Sequence, residues 1–399
     1  MKKKKHLFDS FILLFLILIF VFVWLRGGPD KLYFDSDLAR DLSEISRLLI
    51  GQNIIWLGPK FSVGLHASPF YYYLFYIPIF LSKGSVYSLI YFNIFLSALA
   101  LFILGYFAVR KYGRGGFFAP LFIGLAPFWQ EISIHPGNGF TYSIFLLGFL
   151  TALWFKFPIV LSSLLLGISS SMHPGALVGM PFLLYELIKS KTSFKNWILS
   201  VIAFLLPFIP LIAFEVITKA YWLRQLQIKM SYSFTLDNIP RHYFFGVLTV
   251  VFFTFAITLI KKRFGEIILG FFSILLLVNS IITPKPAVSK RPISKIEKVV
   301  KYLVGSGEIK NNEKIAVVSI KTLDTKTPQA DDYRFFLRAK GFEVLEVSDY
   351  GKADKLVIFV EDESINWESW NSWETDQFKD KKLLSVLQNE DFKIVIYGK

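Results

Sequence analysis

Between Tyr33 and Gly51 the chain reads YFDSDLARDLSEISRLLIG, so Asp35, Asp37, Asp41 and Glu44 interleave with Arg40 and Arg47. A carboxylate in such a stretch can take the proton of an attacking hydroxyl. A guanidinium can orient that carboxylate, or hold a phosphate with two parallel hydrogen bonds. Leu38, Leu42, Ile45 and Leu49 recur at helical spacing, and Asp37, Arg40, Asp41, Glu44 and Arg47 recur on another face. The stretch predicts an amphipathic helix at the outer membrane surface, its apolar side toward lipid or protein. A solvated interfacial helix with i,i+4 charge pairs is the plainer account of the same pattern.

The elements that must position these residues are mostly membrane helices. Of 399 residues, 54% are hydrophobic, 18% aromatic and 19% charged, against about a quarter charged in an ordinary soluble domain. Segment 8–25 and the run Val86–Val109 reach the roughly 17–25 residues that span a bilayer core. Candidate segments are 8–25, 68–82, 86–109, 116–131, 139–155, 157–172, 175–188, 197–218, 242–260 and 264–282. The first has the basic start of a signal peptide but no small-x-small cleavage site, so it reads as a retained helix. There are no cysteines, which excludes disulfides and thiolate chemistry.

From about residue 290 the pattern changes. KIAVVSI, FEVLEV, KLVIFV and FKIVIYG predict short strands, and DDYRFFLRAKG and DKKLLSVLQN predict helices. The expected organisation is an all-α multi-pass membrane domain over 1–283, with a first external loop at 27–68, and a small C-terminal α/β domain over 284–399.

Charge sets the expected sidedness. Residues 1–283 carry 24 basic and 11 acidic side chains, whereas 284–399 carry 20 and 19. The excess therefore lies in the membrane part, where it reads as topology rather than nucleic-acid binding. If all ten segments cross, 9 basic residues fall inside and 15 outside. If 68–82 enters without crossing, the counts become 14 inside and 10 outside, which the positive-inside tendency favours. That frame puts the N-terminus in the cytoplasm. Loop 219–241 and the C-terminal domain are then extracytoplasmic, in the cell membrane.

After the acidic stretch the chain continues GQNIIWLGPKFSVGLHASPFYYYLFYIPIF. A first membrane helix, an external loop with an aspartate on a juxtamembrane helix, a Gly-Pro turn and a Pro-aromatic run form a specific order. It resembles the GT-C superfamily of lipid-phosphate-sugar-dependent glycosyltransferases. More narrowly, it resembles the protein O-mannosyltransferase/aminoarabinose transferase-like family. The residues that carry the resemblance are Asp37 through Asp41, Leu57-Gly58-Pro59, and His66 through Tyr73. Leu38 stands where many relatives have Glu or Gln. The resemblance covers roughly residues 8–283 and does not extend to the tail.

It implies a polyprenyl-phosphate-linked sugar as donor and a glycan, protein or lipid acceptor at the outer face, with inversion at the sugar carbon. The leaving group is already a phosphate, so charge stabilisation matters more than protonation. Asp37 is the expected catalytic base, with Asp35 as the alternative; Arg40 and Asp41 would orient it or the substrates. Arg224 and Arg241, in a basic external loop, are candidates for the donor phosphate, against resting on anionic headgroups. His66 and His173 are further substrate-binding candidates, ahead of His135, and Tyr72 belongs to a run that can line a prenyl groove or stack on a sugar. Each has a plainer reading as a hydrogen-bonded loop histidine or an aromatic-belt residue. No ligand spacing supports a metal, and no cofactor is expected. The Trp residues of WESWNSWE read first as packing of the small domain. The rival function is a polytopic lipid or sugar transporter or flippase. That would place ionisable residues mid-helix, whereas the long spans here are almost charge-free.

Overall fold

The computed structural model describes residues 2–26, 28–31, 34, 36–49, 51, 54–61, 65–190, 192–221, 224, 241–262, 264–283, 291–320, 330–361, 366–368, 370, 372–389 and 392–399. In chain order its first helices are α1 (Lys2–Leu25), α2 (Ser36–Leu49), α3 (Phe70–Leu81), α4 (Tyr87–Tyr112), α5 (Phe118–Leu125), α6 (Pro127–Ile134) and α7 (Asn138–Trp154). They are followed by α8 (Ile159–Met172), α9 (Met180–Lys189), α10 (Phe194–Leu205), α11 (Ile209–Ile217), α12 (Phe245–Ile260) and α13 (Gly265–Ile282). The tail contributes α14 (Ile293–Gly305), β1 (Lys314–Ile320), α15 (Asp331–Ala339), β2 (Glu343–Val344), β3 (Lys355–Val360), α16 (Trp373–Asp376), β4 (Lys382–Asn389) and β5 (Phe392–Gly398).

Contacts divide the chain into two units. One comprises Met1–Pro29, Ile55–Pro78 and Val86–Ala287; the other comprises Asp30–Ile54, Ile79–Ser85 and Val288–Lys399. The division differs from a cut at residue 283: the acidic stretch groups with the tail.

The first unit is helical and apolar. Tyr87–Leu125, Phe194–Ile217, His242–Ile260 and Gly265–Ile282 are long and apolar enough to cross a membrane, and Asp9–Leu25, Phe70–Leu81, Asn138–Trp154 and Ile159–Met172 are shorter apolar helices. Tyr87–Leu125 contains a reversal at Gly113–Phe117. Gly116 is needed there, because a Cβ would lie 2.3 Å from the Ala108 carbonyl carbon. Helices α4, α7 and α12 run in the same direction. At their starts Thr141 donates to Asn93 Oδ1 (2.9 Å) and the Gly246 amide donates to the Tyr142 hydroxyl (2.7 Å). At their ends the Trp154 indole donates to the Tyr112 hydroxyl (2.8 Å), and the Lys261 ammonium lies 4.1 Å from the Trp154 ring centre. Helix α1 runs the opposite way. Its Leu13 reaches Gly105 near the end of α4, and Trp24 donates to the Gly124 carbonyl (3.0 Å). One end of the bundle therefore collects the start of α1 with Arg110, Lys111, Lys156 and Lys261. Lys156 is paired there with Glu186 of α9 (2.5 Å).

The second unit is built on a five-stranded sheet of order β2-β1-β3-β5-β4. β1 pairs parallel with β2 and β3, as expected where α15 supplies a crossover. β3–β5 and β5–β4 are antiparallel. Gly341, at φ +89°, ends α15 in the left-handed region that glycine enters without strain. The helix expected over DKKLLSVLQN is instead β4. Its lysines and leucines are good helix formers, but pairing with β5 along Lys382–Asn389 satisfies the backbone and overrides that weak propensity.

Helix α2 packs on α15 within this unit. Ala39, Leu42 and Ile45 are buried, so the apolar side of the amphipathic helix rests on protein. Phe34, just before α2, meets the Phe336 ring edge-on at 6.1 Å.

Candidate functional site

Two constellations carry chemistry, one in each unit. In the second, the exposed side of α2 presents Asp37. Its side chain is 78% accessible and bonds to Arg40 Nη1 at 2.9 Å. The same guanidinium holds Asp41 Oδ1 through Nε (3.1 Å) and Nη2 (2.9 Å). Asp41 is buried, so it faces inward rather than lying with Asp37 on the open face. Arg40 thus bridges an inner carboxylate that anchors it and an outer one that it orients. Asp37 lies in the first turn of α2, at the positive end of the helix dipole. Two turns further on, burial raises the Glu44 carboxyl above the ordinary range, against the pull of Arg47 at 3.0 Å. Asp35 lies outside the described residues.

In the first unit, the chain around Gly58-Pro59 folds back on 65–68. The Gly58 amide donates to Ala67 O (2.9 Å), the Ala67 amide to Pro59 O (2.8 Å), and the His66 ring bonds Gly58 O through Nδ1 (2.9 Å). Phe61 on this turn meets the His173 ring edge-on at 5.7 Å, which brings the His66 segment beside His173. His173 follows α8. It stacks on Tyr142 of α7 (4.7 Å) and meets Tyr243 (4.3 Å) and His242 (5.5 Å) edge-on. His135 stacks on Phe140, which also contacts His242. This end of the bundle is opposite the one that collects Lys111, Lys156 and Lys261.

The tautomer of His173 follows from its bonds. The Gly175 amide donates to Nδ1 at 3.1 Å, so Nδ1 is an acceptor and the proton of the neutral ring is on Nε2. Nε2 is buried without a hydrogen-bond partner among the described residues. Burial first, and the His242 charge second, push this histidine down to about 3. It is therefore a neutral donor aimed into an aromatic cluster. The cluster is tight: a Cβ on Gly246 would lie 2.5 Å from Gly175 O, and one on Gly139 2.7 Å from the His242 ring.

Other candidates are placed differently. Tyr72 is buried, its ring 5.7 Å from Tyr71, so it packs the core and presents no stacking face. Arg224 is exposed and donates to the Thr218 carbonyl (3.0 Å). Arg241 begins a short 3-10 turn (Arg241–Phe244) that leads into α12; its side chain is outside the described residues, as is most of loop 219–241. Among the described residues no three His, Asp or Glu side chains are grouped to hold a metal ion. Sequence reasoning missed Tyr142, His242 and Tyr243. Tyr142 is one aromatic in an apolar helix, and only the position of His242-Tyr243 at the end of a basic loop set that pair apart.

Comparison with solved structures decides the fold. ArnT from Cupriavidus metallidurans, crystallised with undecaprenyl phosphate, superposes over 96% of this chain and 97% of its own, with a TM-score of 0.51 and 11% identity. The chain has the fold of ArnT. The overlap takes in 96% of the chain, so it extends beyond the 8–283 over which the sequence resemblance runs. No protein-family model matches the chain, and no curated protein sequence does.

Proposed function

We propose that this chain is a membrane glycosyltransferase that moves a sugar from a polyprenyl-phosphate donor to an acceptor hydroxyl on the extracytoplasmic face. The observation that carries this reading is the match to ArnT over nearly the entire chain, because that relative was crystallised with undecaprenyl phosphate. The Asp37–Arg40–Asp41 arrangement adds the chemistry. The acceptor oxygen attacks the anomeric carbon while the bond to the donor phosphate breaks and its electron pair leaves on the phosphate. Asp37, open to solvent and oriented by Arg40, takes the hydroxyl proton. The neutral Nε2–H of His173 is suited to donate to a sugar or phosphate oxygen, since a buried unpartnered donor costs about 1–3 kcal/mol that a ligand acceptor would recover. Arg224 and Arg241 are the cations proposed for the leaving phosphate.

The deciding experiment is a transfer assay on purified protein with a panel of polyprenyl-phosphate sugars and a range of hydroxyl acceptors. Release of polyprenyl phosphate coupled to glycosylated acceptor is expected with at least one pair. Movement of intact lipid-linked sugar between leaflets of a proteoliposome, with no transfer, would favour a flippase.

A further inference from the structure

The C-terminal unit holds helix α2 at two points, each through a buried arginine of the tail. Arg291 is 7% exposed. Its Nη1 donates to the Phe34 carbonyl (2.8 Å), and the Phe34 amide donates back to the Arg291 carbonyl (3.2 Å). The rest of its guanidinium is held by two carboxylates: Nη2 bonds Asp332, and Nε and Nη2 bond the two oxygens of Glu361 at 2.8 Å each. Glu361 also accepts from the Tyr333 hydroxyl (3.0 Å), and the Tyr333 ring lies flat on Phe359 at 3.8 Å. The arginine is therefore fixed by β-sheet and helix groups, and its Nη1 grips the main chain two residues ahead of α2. Arg338, 3% exposed, makes the second contact. It donates to Ser43 Oγ on α2 (3.0 Å) and is fixed by Val344 O (3.0 Å) and Glu346 (2.9 Å).

Two carboxylates on one buried guanidinium exceed what a domain needs to neutralise it. Burying such groups is costly unless the geometry is tightly satisfied. The arrangement instead aims the guanidinium at a carbonyl three residues before Asp37. Arg334 on the same helix offers a contrast, since it bonds Asp331 (2.9 Å) and Tyr350 (2.7 Å), both within the tail.

We propose that Arg291 is a positioning residue for transfer: through Phe34 it fixes the first turn of α2 and with it Asp37, so the C-terminal domain is part of the catalytic apparatus. The proposal rests on the reading of Asp37 as the base. Its test compares full-length Arg291→Met, Arg291→Lys and Arg334→Met with wild type, by amide hydrogen exchange over 34–42 and by transfer kinetics. Arg291→Met is expected to raise exchange in the first turn of α2 and lower kcat about ten-fold or more, with donor KM within about two-fold, because small misplacement of a reacting group costs rate rather than binding. Arg291→Lys, which keeps the charge but lacks the planar five-donor fork that reaches Phe34, Asp332 and Glu361 together, is expected to fall between. Arg334→Met is expected to leave both readouts at wild-type values. Unchanged exchange in Arg291→Met overturns the proposal, as does a loosened helix with full kcat. Equal losses in Arg334→Met overturn it too, since they would mean that domain stability, and not the hold on Phe34, is at stake. Asp37→Asn is measured alongside. Full turnover there removes Asp37 as the base, while the exchange and kcat of the Arg291 variants still decide whether the hold on α2 matters for transfer.

Discussion

At the scale of single residues, Asp37 and Asp41 differ by environment alone. Both bond Arg40, but Asp37 is open and Asp41 is buried. Asp37→Asn keeps the size and most hydrogen bonding yet cannot accept a proton. Its turnover is expected to fall about 10²–10⁴-fold, the usual cost of losing a general base, with normal expression and membrane insertion. Asp35→Asn in the same assay is expected to be milder; the reverse ranking moves the base to Asp35. His173 allows a second test. Its folded-state value of about 3 lies below the ordinary 6.5, so its contribution to stability is complete above pH 6.5 and is lost as pH falls from there toward 3. In detergent, stability should drop by up to about 1.4 kcal/mol per pH unit in that window. His173→Gln should flatten this part of the acid limb. A wild-type-minus-variant difference that does not change between pH 7 and pH 5 would refute the buried neutral donor.

At the scale of elements, α2 and the loop between α11 and α12 matter most. The period of α2 was plain in the sequence, and the helix forms over Ser36–Leu49. Its partner was not, because an amphipathic period states that one face is covered and leaves open whether lipid or protein covers it. The burial of Asp41 has the same origin: Arg40 and the packing on α15 decide it, and neither is a local property. For the loop, Arg224→Ala or Arg241→Ala is expected to weaken apparent donor affinity about ten-fold or more, since a charge-assisted contact is worth roughly 1.5–3 kcal/mol. Unchanged donor kinetics in both variants would leave the loop as a headgroup-resting segment.

At the scale of the molecule, the two ends of the bundle make an expected sidedness testable. The helix starts and ends that carry Arg110, Lys111, Lys156 and Lys261 lie together with the start of α1, whereas the His173 cluster lies at the opposite end. By the positive-inside tendency the basic end is expected to face the cytoplasm. A reporter fused after Lys399 is therefore expected to be active only in an extracytoplasmic setting. Activity of a cytoplasmic reporter at that site would reverse the topology and remove loop 219–241 from the donor side.

The sequence by itself determined the class of the molecule, most of its helices, strands β1, β3 and β5, and the short stretch that carries the carboxylates. These depend on hydropathy and on periods of 3.6 or 2, which any window of a dozen residues displays. Three things waited for the tertiary structure. β4 has the composition of a helix and becomes a strand because β5 offers it a ladder. His173 gained a defined tautomer only when the turn at Gly175 and the rings of Tyr142, His242 and Tyr243 closed around it. Residues 30–54 joined the tail because Arg291 and Arg338 reach Phe34 and Ser43, contacts between segments about 250 or more residues apart that no local pattern encodes. Local periods state which face of an element must be buried; only the packed chain decides against what.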